Sequence, residues 1–182
     1  MTKSILFIQG GGDDGYEADA KLADSLRQAL GAAYDVRYPE MLSDDAVSDF
    51  GWPRQIGNEI SLVNREVILV AHSLGASMLL KYLSESEIKN RKIEGIFLIS
   101  TPFWRGKEDW VQGLKLQEDF ADKLPKGIPV FLYHSRDDEV VSFVHLELYA
   151  QKLPHATVRE ITNGGHQLDN DLTLVAKDIE SL

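Results

Sequence analysis

The sequence predicts an α/β fold, with a six-stranded parallel sheet between two layers of helices. One observation is that strand-like and helix-like patterns alternate from end to end of the 182-residue chain. Strands that are joined through helices pair in parallel, and the helices then cover both faces of the sheet. A second observation is the junction at Ser73, where the apolar run Val67–Ala71 passes at once into a helical pattern. This change of period indicates a buried strand followed by a helix.

The strand-like runs are short, rich in β-branched and aromatic residues, and bounded by turn formers. They are Ser4–Gln9, Tyr34–Tyr38, Val67–Ala71, Ile93–Ser100, Ile128–His134 and Thr157–Ile161. The helix-like runs carry apolar residues on one side. They are Glu17–Leu30, Gln55–Leu62, Leu74–Ser84, Trp110–Lys123, Val144–Lys152 and Leu172–Leu182. In the first helix we expect a buried face made of Ala20, Ala23, Leu26, Ala29 and Leu30. No repeat or linker interrupts the alternation, so residues 1–182 are predicted to form one domain.

Composition and charge exclude several classes of partner. Hydrophobic residues make up 43% of the chain and charged residues 26%, which is typical of a globular protein. The formal net charge of −10 repels phosphate backbones and acidic lipids, so we expect neither a nucleic-acid nor a membrane partner. The first strand begins without a signal sequence, and we expect a cytoplasmic protein. The absence of cysteine excludes disulfides, thiolate metal sites and a cysteine nucleophile.

The segment Ala71-His72-Ser73-Leu74-Gly75 matches a nucleophile elbow, a sharp strand-to-helix turn that presents a serine hydroxyl. The residues two positions before and after the serine must be small, because the strand and the helix nearly touch there. Ala71 and Gly75 meet this need, although glycine is usual at the first position. The turn predicts a strained backbone at Ser73. The alternative is that Ser73 only caps the helix, which is a common role for serine.

A serine nucleophile needs a base to take its proton and an acid to orient that base. In the expected chain order the acid comes next and the histidine last, on loops that follow later strands. His166 is the best-placed histidine, since it follows the last strand and the flexible pair Gly164-Gly165. The other four histidines are scattered over the elbow, a strand end, a helix and a turn: His72, His134, His145 and His155. Because of this scatter we expect no metal site.

The acid is expected on the loop after the fifth strand, where Asp137, Asp138 and Glu139 are consecutive. Only one of them can accept the hydrogen bond from the Nδ1–H group of the base. Val140 and Val141 should hold the far side of the loop, which favours an acid close before them. The residues alone leave Asp137 and Asp138 as candidates, and the unused one is expected to form the turn or to be solvated.

An oxyanion hole requires two preorganised N–H donors. We predict that one is the backbone N–H of Leu74, which follows the nucleophile. The other is predicted to be that of Gly11, in the loop after the first strand, where glycine lets the backbone approach a reacting carbonyl. Gly12 is the near alternative and a predicted substrate contact.

The same loop also matches a dinucleotide-binding pattern, because residues 10–15 read Gly-Gly-Gly-Asp-Asp-Gly after a strand. Asp13 and Asp14 would repel a pyrophosphate there, and no acid clearly ends the second strand. We therefore prefer the nucleophile site and expect no cofactor.

Two long connections, residues 39–53 and 101–109, leave the edge of the sheet where open α/β sheets bind ligands. Both carry aromatic side chains, and we predict that Phe103 and Trp104 line a substrate pocket. The alternative is that such side chains form a small satellite core under each loop.

Together these residues resemble the α/β-hydrolase superfamily, and in particular its compact serine hydrolases related to retinoblastoma-binding protein nine. The resemblance covers nearly the whole chain. It rests on the opening strand with its glycine loop, Val-Ala-His-Ser-Leu-Gly, the His-x-x-x-Asp-x-x-Val loop and Gly-Gly-His. In that pattern the aspartate is the fourth residue after the strand-end histidine, which is Asp138. The departures are Ala71 at the first elbow position and Ser142 where a proline often follows the valines.

The resemblance implies a three-layer α/β-hydrolase-like sandwich with strand order 2-1-3-4-5-6 and no large cap domain. It implies a serine esterase with Ser73, His166 and Asp138 as the triad, no cofactor and no metal. Because an uncapped site is open, the expected substrate is a small-molecule ester with a small or short acyl chain. Two other functions fit the same residues: a non-catalytic interaction protein that keeps the fold, and an acyltransferase or perhydrolase with the same triad. The residues do not distinguish a monomer from a homodimer.

Overall fold

The computed structural model describes residues 2–88 and 93–182, and its strands form one six-stranded sheet. The strands are β1 (Lys3–Ile8), β2 (Tyr34–Arg37), β3 (Val67–His72), β4 (Ile93–Ile99), β5 (Val130–Ser135) and β6 (Thr157–Ile161). Their order across the sheet is β2-β1-β3-β4-β5-β6, and all neighbouring pairs are parallel. The predicted topology is therefore confirmed, and β3 lies inside the sheet between β1 and β4.

Helices cover both faces of this sheet. They are α1 (Gly15–Leu30), α2 (Trp52–Leu62), α3 (Ser73–Glu85), α4 (Asp109–Gln112), α5 (Phe120–Lys123), α6 (Val144–Lys152) and α7 (Thr173–Glu180). Successive side chains of a strand point to opposite faces, so the sheet carries two separate apolar layers. Residues of α1 and α7 pack on one layer, and residues of α2, α3 and α6 pack on the other. The predicted three-layer sandwich is thereby confirmed. None of the helices in the described ranges is both long and apolar enough to cross a membrane.

The prediction of one helix over Trp110–Lys123 is wrong. The structure has two single-turn helices there, α4 and α5, separated by residues 113–119. The break has a tertiary cause at Gly113, whose Cα lies so close to Ser48 that an added Cβ would stand 2.1 Å from the Ser48 carbonyl oxygen. Glycine is also a poor residue inside a helix. The contact with the connection after β2 thus overrides the local apolar pattern.

The predicted buried face of α1 is also partly wrong. Ala29 is exposed and Ala20 is only half-buried. The residues that are buried follow helical steps of three and four: Gly15, Asp19, Leu22, Ala23, Leu26 and Leu30. The prediction counted only apolar residues as buried and so left out Asp19. The predicted face is therefore rotated around the helix axis relative to the buried one. Burial of Asp19 is tolerated because its carboxylate is fully hydrogen-bonded.

The close approach of α3 to the end of β1 explains the small residue at the second elbow position. A Cβ atom on Gly75 would lie 2.1 Å from the carbonyl oxygen of Gln9 and 2.8 Å from a methyl carbon of Ile8. The Gln9 carbonyl belongs to the backbone and cannot rotate away. At the first elbow position, Ala71 is completely buried with its methyl group in place. The fold therefore requires glycine at residue 75 and accepts alanine at residue 71.

We expect Gly75→Ala to lower the free energy of unfolding by about 1–3 kcal/mol, because the added methyl group overpacks the turn. Urea denaturation followed by circular dichroism measures this change. Ala71→Gly is the matched control at the other elbow position, and its expected cost is about 0.5–1 kcal/mol. A Gly75→Ala variant that unfolds at the same urea concentration as the wild type would contradict the close approach.

Candidate active site

Ser73 lies on the turn between β3 and α3, at the carboxyl edge of the sheet. Its backbone φ angle is 51°, in the left-handed region that non-glycine residues rarely adopt. Such a conformation costs about 1–3 kcal/mol and persists only where the surrounding structure imposes it. The strain predicted at Ser73 is thus present. As a residue of the first turn of α3, Leu74 has a backbone N–H without an acceptor inside the helix.

The hydroxyl of Ser73 faces the imidazole of His166. The distance between Ser73 Oγ and His166 Nε2 is 3.0 Å, within hydrogen-bond range. His166 follows β6, and two features turn the chain back toward the sheet edge. Gly165 has a φ of 59°, and residues 168–170 all have φ between 48° and 56°. This sharply curled segment brings the imidazole over the end of β3.

Asp138 lies behind the imidazole, with its side chain fully buried. The distance between Asp138 Oδ2 and His166 Nδ1 is 2.9 Å. The other carboxylate oxygen, Oδ1, accepts the backbone N–H groups of Val140 and Val141 at 2.9 Å and 2.8 Å. His134 Nε2 lies 3.2 Å from Asp138 Oδ2 as well as 2.8 Å from the Val141 carbonyl oxygen. The carboxylate thus accepts several hydrogen bonds, and one of them is from His166.

These contacts determine the charge of Asp138. Burial by itself raises the pKa of the Asp138 carboxyl, but hydrogen bonds from two histidine rings and two backbone N–H groups lower it more. The pKa therefore lies well below its usual range, and the group is ionised at neutral pH. An ionised carboxylate at this position keeps the proton of His166 on Nδ1. The Nε2 atom is then free of hydrogen and can accept the proton of Ser73.

The neighbouring acids have other partners. Asp137 Oδ1 accepts the N–H groups of Gly164 and Gly165 at 3.1 Å and 2.9 Å, and it also accepts the Ser135 hydroxyl. The hydrogen bond from Ser135, followed by those from the two glycines, lowers the pKa of Asp137. Glu139 Oε2 accepts the backbone N–H of His166 at 3.3 Å. Of the two aspartates that the residues left open, Asp138 is therefore the one that contacts the imidazole ring.

The predicted oxyanion-hole residues lie together beside Ser73. A Cβ atom on Gly11 would stand 2.7 Å from the side chain of Leu74, so the glycine loop passes directly over the elbow. Gly11, Gly12 and Leu74 line one cavity with Ser73. Gly10 differs, because its N–H donates to Asp19 Oδ2 at 2.6 Å. Gly12 has a φ of 101°, which favours glycine at this bend.

The cavity at Ser73 has a volume of about 570 Å³ and mainly apolar walls. Its lining residues outside the predicted set are Phe50, Pro102, Trp110, Leu114, Val140, Val141 and His145. Trp104 lines it, as predicted. Phe103 does not line this cavity. Its ring packs against Tyr149, with the centroids 4.9 Å apart, and it lines a second cavity of about 380 Å³, whose lining also includes Trp104.

His145 is a cavity residue that its helical position in the sequence did not reveal. The backbone N–H of Phe103 donates to His145 Nδ1 at 2.7 Å, so the ring proton lies on Nε2. Burial, with smaller contributions from His134 and Arg105, lowers the pKa of His145. The neutral ring therefore offers an N–H donor in a largely apolar wall. Within residues 2–88 and 93–182, no group of three or more His, Asp or Glu side chains could hold a metal ion.

Acid should remove the stability that Asp138 supplies. The pKa of Asp138 is lower in the folded protein than in the unfolded chain, where it is about 3.9. The stabilisation is therefore fully present above about pH 3.9, and it is lost as the pH falls through the folded-state pKa. We expect the difference in unfolding free energy between the wild type and Asp138→Asn to shrink as the pH falls from about 6 to about 3. Urea denaturation at each pH measures the difference. A difference that stays constant would contradict the lowered pKa.

Comparison with known proteins shows the family of this chain. A family model described as "Serine hydrolase" matches residues 18–172. A search of curated proteins finds no matching relative.

The fold is similar to that of the ydeN gene product from B. subtilis, at 22% identity and a TM-score of 0.69, over 99% of this chain and 98% of that chain. It is also similar to the meta-cleavage product hydrolase CumD from Pseudomonas fluorescens IP01, at 14% identity and a TM-score of 0.72, over 100% and 91%. A third similar structure is Arabidopsis thaliana SOBER1, at 15% identity and a TM-score of 0.69, over 100% and 99%. These structures share the α/β fold, and because the family model covers most of the sequence, the chain belongs to the serine hydrolase family.

Proposed function

We propose that this serine hydrolase is an esterase that cleaves small or short-chain esters through an acyl-enzyme on Ser73. The observation that carries the proposal is the continuous hydrogen-bond chain from Ser73 Oγ through His166 to Asp138, with distances of 3.0 Å and 2.9 Å. A nucleophile, a base and an orienting acid in this geometry are what acyl transfer to serine requires.

In the proposed first step, Ser73 Oγ attacks the ester carbonyl carbon while His166 Nε2 takes the hydroxyl proton. The ionised Asp138 stabilises the imidazolium that forms. The carbonyl oxygen becomes an oxyanion, which accepts hydrogen bonds from the N–H groups of Leu74 and Gly11. When the tetrahedral intermediate collapses, the bond to the alcohol oxygen breaks and His166 returns the proton to that oxygen. The products are a free alcohol and an acylated Ser73.

The second step repeats this chemistry with water as the nucleophile. His166 Nε2 takes a proton from a water molecule, and the oxygen attacks the acyl carbon in the same oxyanion hole. Collapse breaks the bond to Ser73 Oγ, His166 returns the proton to the serine, and the carboxylic acid leaves. An alcohol or a peroxide in place of water would give the acyltransferase or perhydrolase reaction.

Cavity size and chemistry support a short acyl group. The walls beside Ser73 are apolar and suit an alkyl chain, whereas the volume of about 570 Å³ lies in the range of small-molecule sites. We expect the indole of Trp104 to limit the length, because Trp104 lines both this cavity and a second one of about 380 Å³. A hydrogen bond from Trp104 Nε1 to Ser77 Oγ, at 2.9 Å, holds the indole in place.

Ser73 should react with a fluorophosphonate probe, since the proposed base activates its hydroxyl. We expect the wild type to be labelled and Ser73→Ala to be unlabelled, as measured by intact-protein mass spectrometry. Asp138→Asn should be labelled at least about a hundredfold more slowly, by analogy with other triads whose acid is replaced by its amide. Asp137→Asn is the matched control one residue away and should be affected less. Absence of labelling in the wild type would favour the non-catalytic alternative, and equal labelling of Ser73→Ala would exclude Ser73 as the nucleophile.

Trp104→Ala should shift the substrate preference toward longer acyl chains, because loss of the indole joins the two cavities. We expect the wild type to prefer p-nitrophenyl acetate or butyrate over the laurate ester, as judged by kcat/KM. The variant should gain activity on the octanoate and laurate esters relative to the acetate ester. Trp110→Ala removes a largely exposed indole at the same cavity and should change the preference less. A wild-type optimum at laurate would contradict the proposed substrate class.

A further inference from the structure

A second histidine–carboxylate pair lies buried behind Ser73. His72, the residue before the nucleophile, and Asp19 of α1 are each 1% exposed. The distance between His72 Nδ1 and Asp19 Oδ2 is 2.7 Å. The proposed chemistry does not use either residue.

The pair contacts the backbone of both segments that must meet Ser73. His72 Nε2 lies 3.0 Å from the carbonyl oxygen of His166. Asp19 Oδ2 accepts the N–H of Gly10, the residue before the predicted oxyanion-hole donor Gly11, at 2.6 Å. The second carboxylate oxygen, Oδ1, accepts the side-chain N–H of Gln167 at 3.0 Å. One buried pair thus connects three segments: the glycine loop after β1, the elbow at Ser73, and the loop after β6 that carries His166.

The contacts favour one protonation state of the pair. Both ring nitrogens of His72 face oxygen acceptors, namely the Asp19 carboxylate and the His166 carbonyl, so both contacts are hydrogen bonds when each nitrogen carries a proton. Burial by itself raises the pKa of Asp19, but its hydrogen bonds and the charge of His72 lower it more. With a proton on both ring nitrogens, the two side chains form an ion pair in the interior. Such a pair contributes little net stability against an apolar replacement, since desolvation offsets the attraction.

Two hydrogen bonds connect consecutive residues to His166. Ser73 Oγ contacts the ring, and His72 Nε2 contacts the backbone carbonyl of the same residue. Ser100 Oγ also donates to this carbonyl at 3.0 Å, and Glu139 accepts the N–H of His166. The peptide groups on both sides of the imidazole are therefore held. Because His72 is covalently bonded to Ser73, its contact with the His166 carbonyl fixes the backbone of the proposed base relative to the proposed nucleophile.

We propose that His72 is a positioning residue that sets the distance between Ser73 and His166, and that the Asp19 carboxylate supports this contact by favouring a proton on both nitrogens of the His72 ring. The proposal rests on the proposed function, because it assigns these two residues a role in that reaction. Neither touches the substrate. Their effect is expected in the rate of the chemical step, since a displacement of about 1 Å in a catalytic group can cost about a hundredfold.

Two substitutions at residue 72 separate the two contacts. The amide nitrogen of asparagine lies near the position of histidine Nδ1, so His72→Asn keeps a donor to Asp19 and loses the donor to the His166 carbonyl. The amide nitrogen of glutamine lies near Nε2, so His72→Gln keeps the donor to His166 and loses the donor to Asp19. A purely structural role predicts that activity follows the contact with buried Asp19. A positioning role predicts that it follows the contact with His166.

We expect His72→Asn to lower the fluorophosphonate labelling rate and kcat for p-nitrophenyl acetate by about tenfold to a hundredfold, with KM changed by less than about threefold. His72→Gln should keep kcat within about threefold of the wild type, although it unfolds at lower temperature than His72→Asn because it leaves a buried carboxylate short of a donor. Equal activity of His72→Asn and the wild type, or a greater loss in His72→Gln than in His72→Asn, would overturn the proposal.

Tyr133→Phe provides the control for loss of a buried hydrogen bond elsewhere. Its hydroxyl donates to Asp178 at 2.7 Å, on the face of the sheet that α7 covers, and it contacts none of the proposed catalytic residues. This variant should unfold at lower temperature and keep its labelling rate. If it slows labelling as much as His72→Asn does, the effect of residue 72 is one of stability and the proposal fails. A wild type that no probe labels would refute the proposed function itself.

The ion pair has a separate spectroscopic test. At about pH 7, nitrogen-detected NMR of the histidine rings should show two protonated nitrogens on His72, a signal that His72→Gln removes and thereby assigns. Asp19→Asn removes the negative charge that favours the second ring proton, so the contact from His72 to the His166 carbonyl should weaken. We expect labelling of Asp19→Asn to slow by about tenfold or more. A wild-type His72 ring with one proton would overturn the ion pair, and unchanged labelling of Asp19→Asn would overturn its supporting role.

Discussion

The strained turn at Ser73 is the constraint on which the rest of the site depends. A serine with φ of 51° needs support from both sides, and β3 provides it because it lies between β1 and β4. The turn also requires α3 to pass within contact of the end of β1, where Gly75 leaves space for the Gln9 carbonyl. The glycine loop after β1 is thereby brought over the elbow. A single steric arrangement thus exposes the hydroxyl and sets the backbone that faces it.

Three consecutive acids after β5 have three different partners because successive side chains of the loop point in different directions. Asp138 accepts from the imidazole of His166, and Asp137 accepts from Gly164 and Gly165. Glu139 accepts from the backbone N–H of His166. The loop after β5 therefore holds the loop after β6 at three places: the imidazole of His166, the backbone N–H of His166, and the two glycines before it. This arrangement explains how two segments far apart in the chain keep a short distance between ring and carboxylate.

Two buried carboxylates support His166. Asp138 contacts the imidazole directly, and Asp19 contacts His72, whose ring in turn contacts the His166 carbonyl. Removing such charges from water costs free energy that their mutual attraction only partly offsets. The benefit is geometric, since each of these side chains makes at least one directed hydrogen bond to a backbone group. A site built in this way trades stability for a defined position of the His166 imidazole.

Local sequence determined the alternation of strands and helices, the strained turn at Ser73 and the glycine turn before His166. Periodicity, the size of near neighbours and glycine freedom are properties of residues that lie close together in the chain. Tertiary structure alone decided that Phe103 lies outside the Ser73 cavity and that helix formation breaks at Gly113, and it showed directly that Asp138 is the aspartate that contacts the ring. It also decided the partner of Asp19, a residue of α1 that meets the elbow only in the folded chain. Each of these depends on a contact between distant segments, which local periodicity and residue size do not specify.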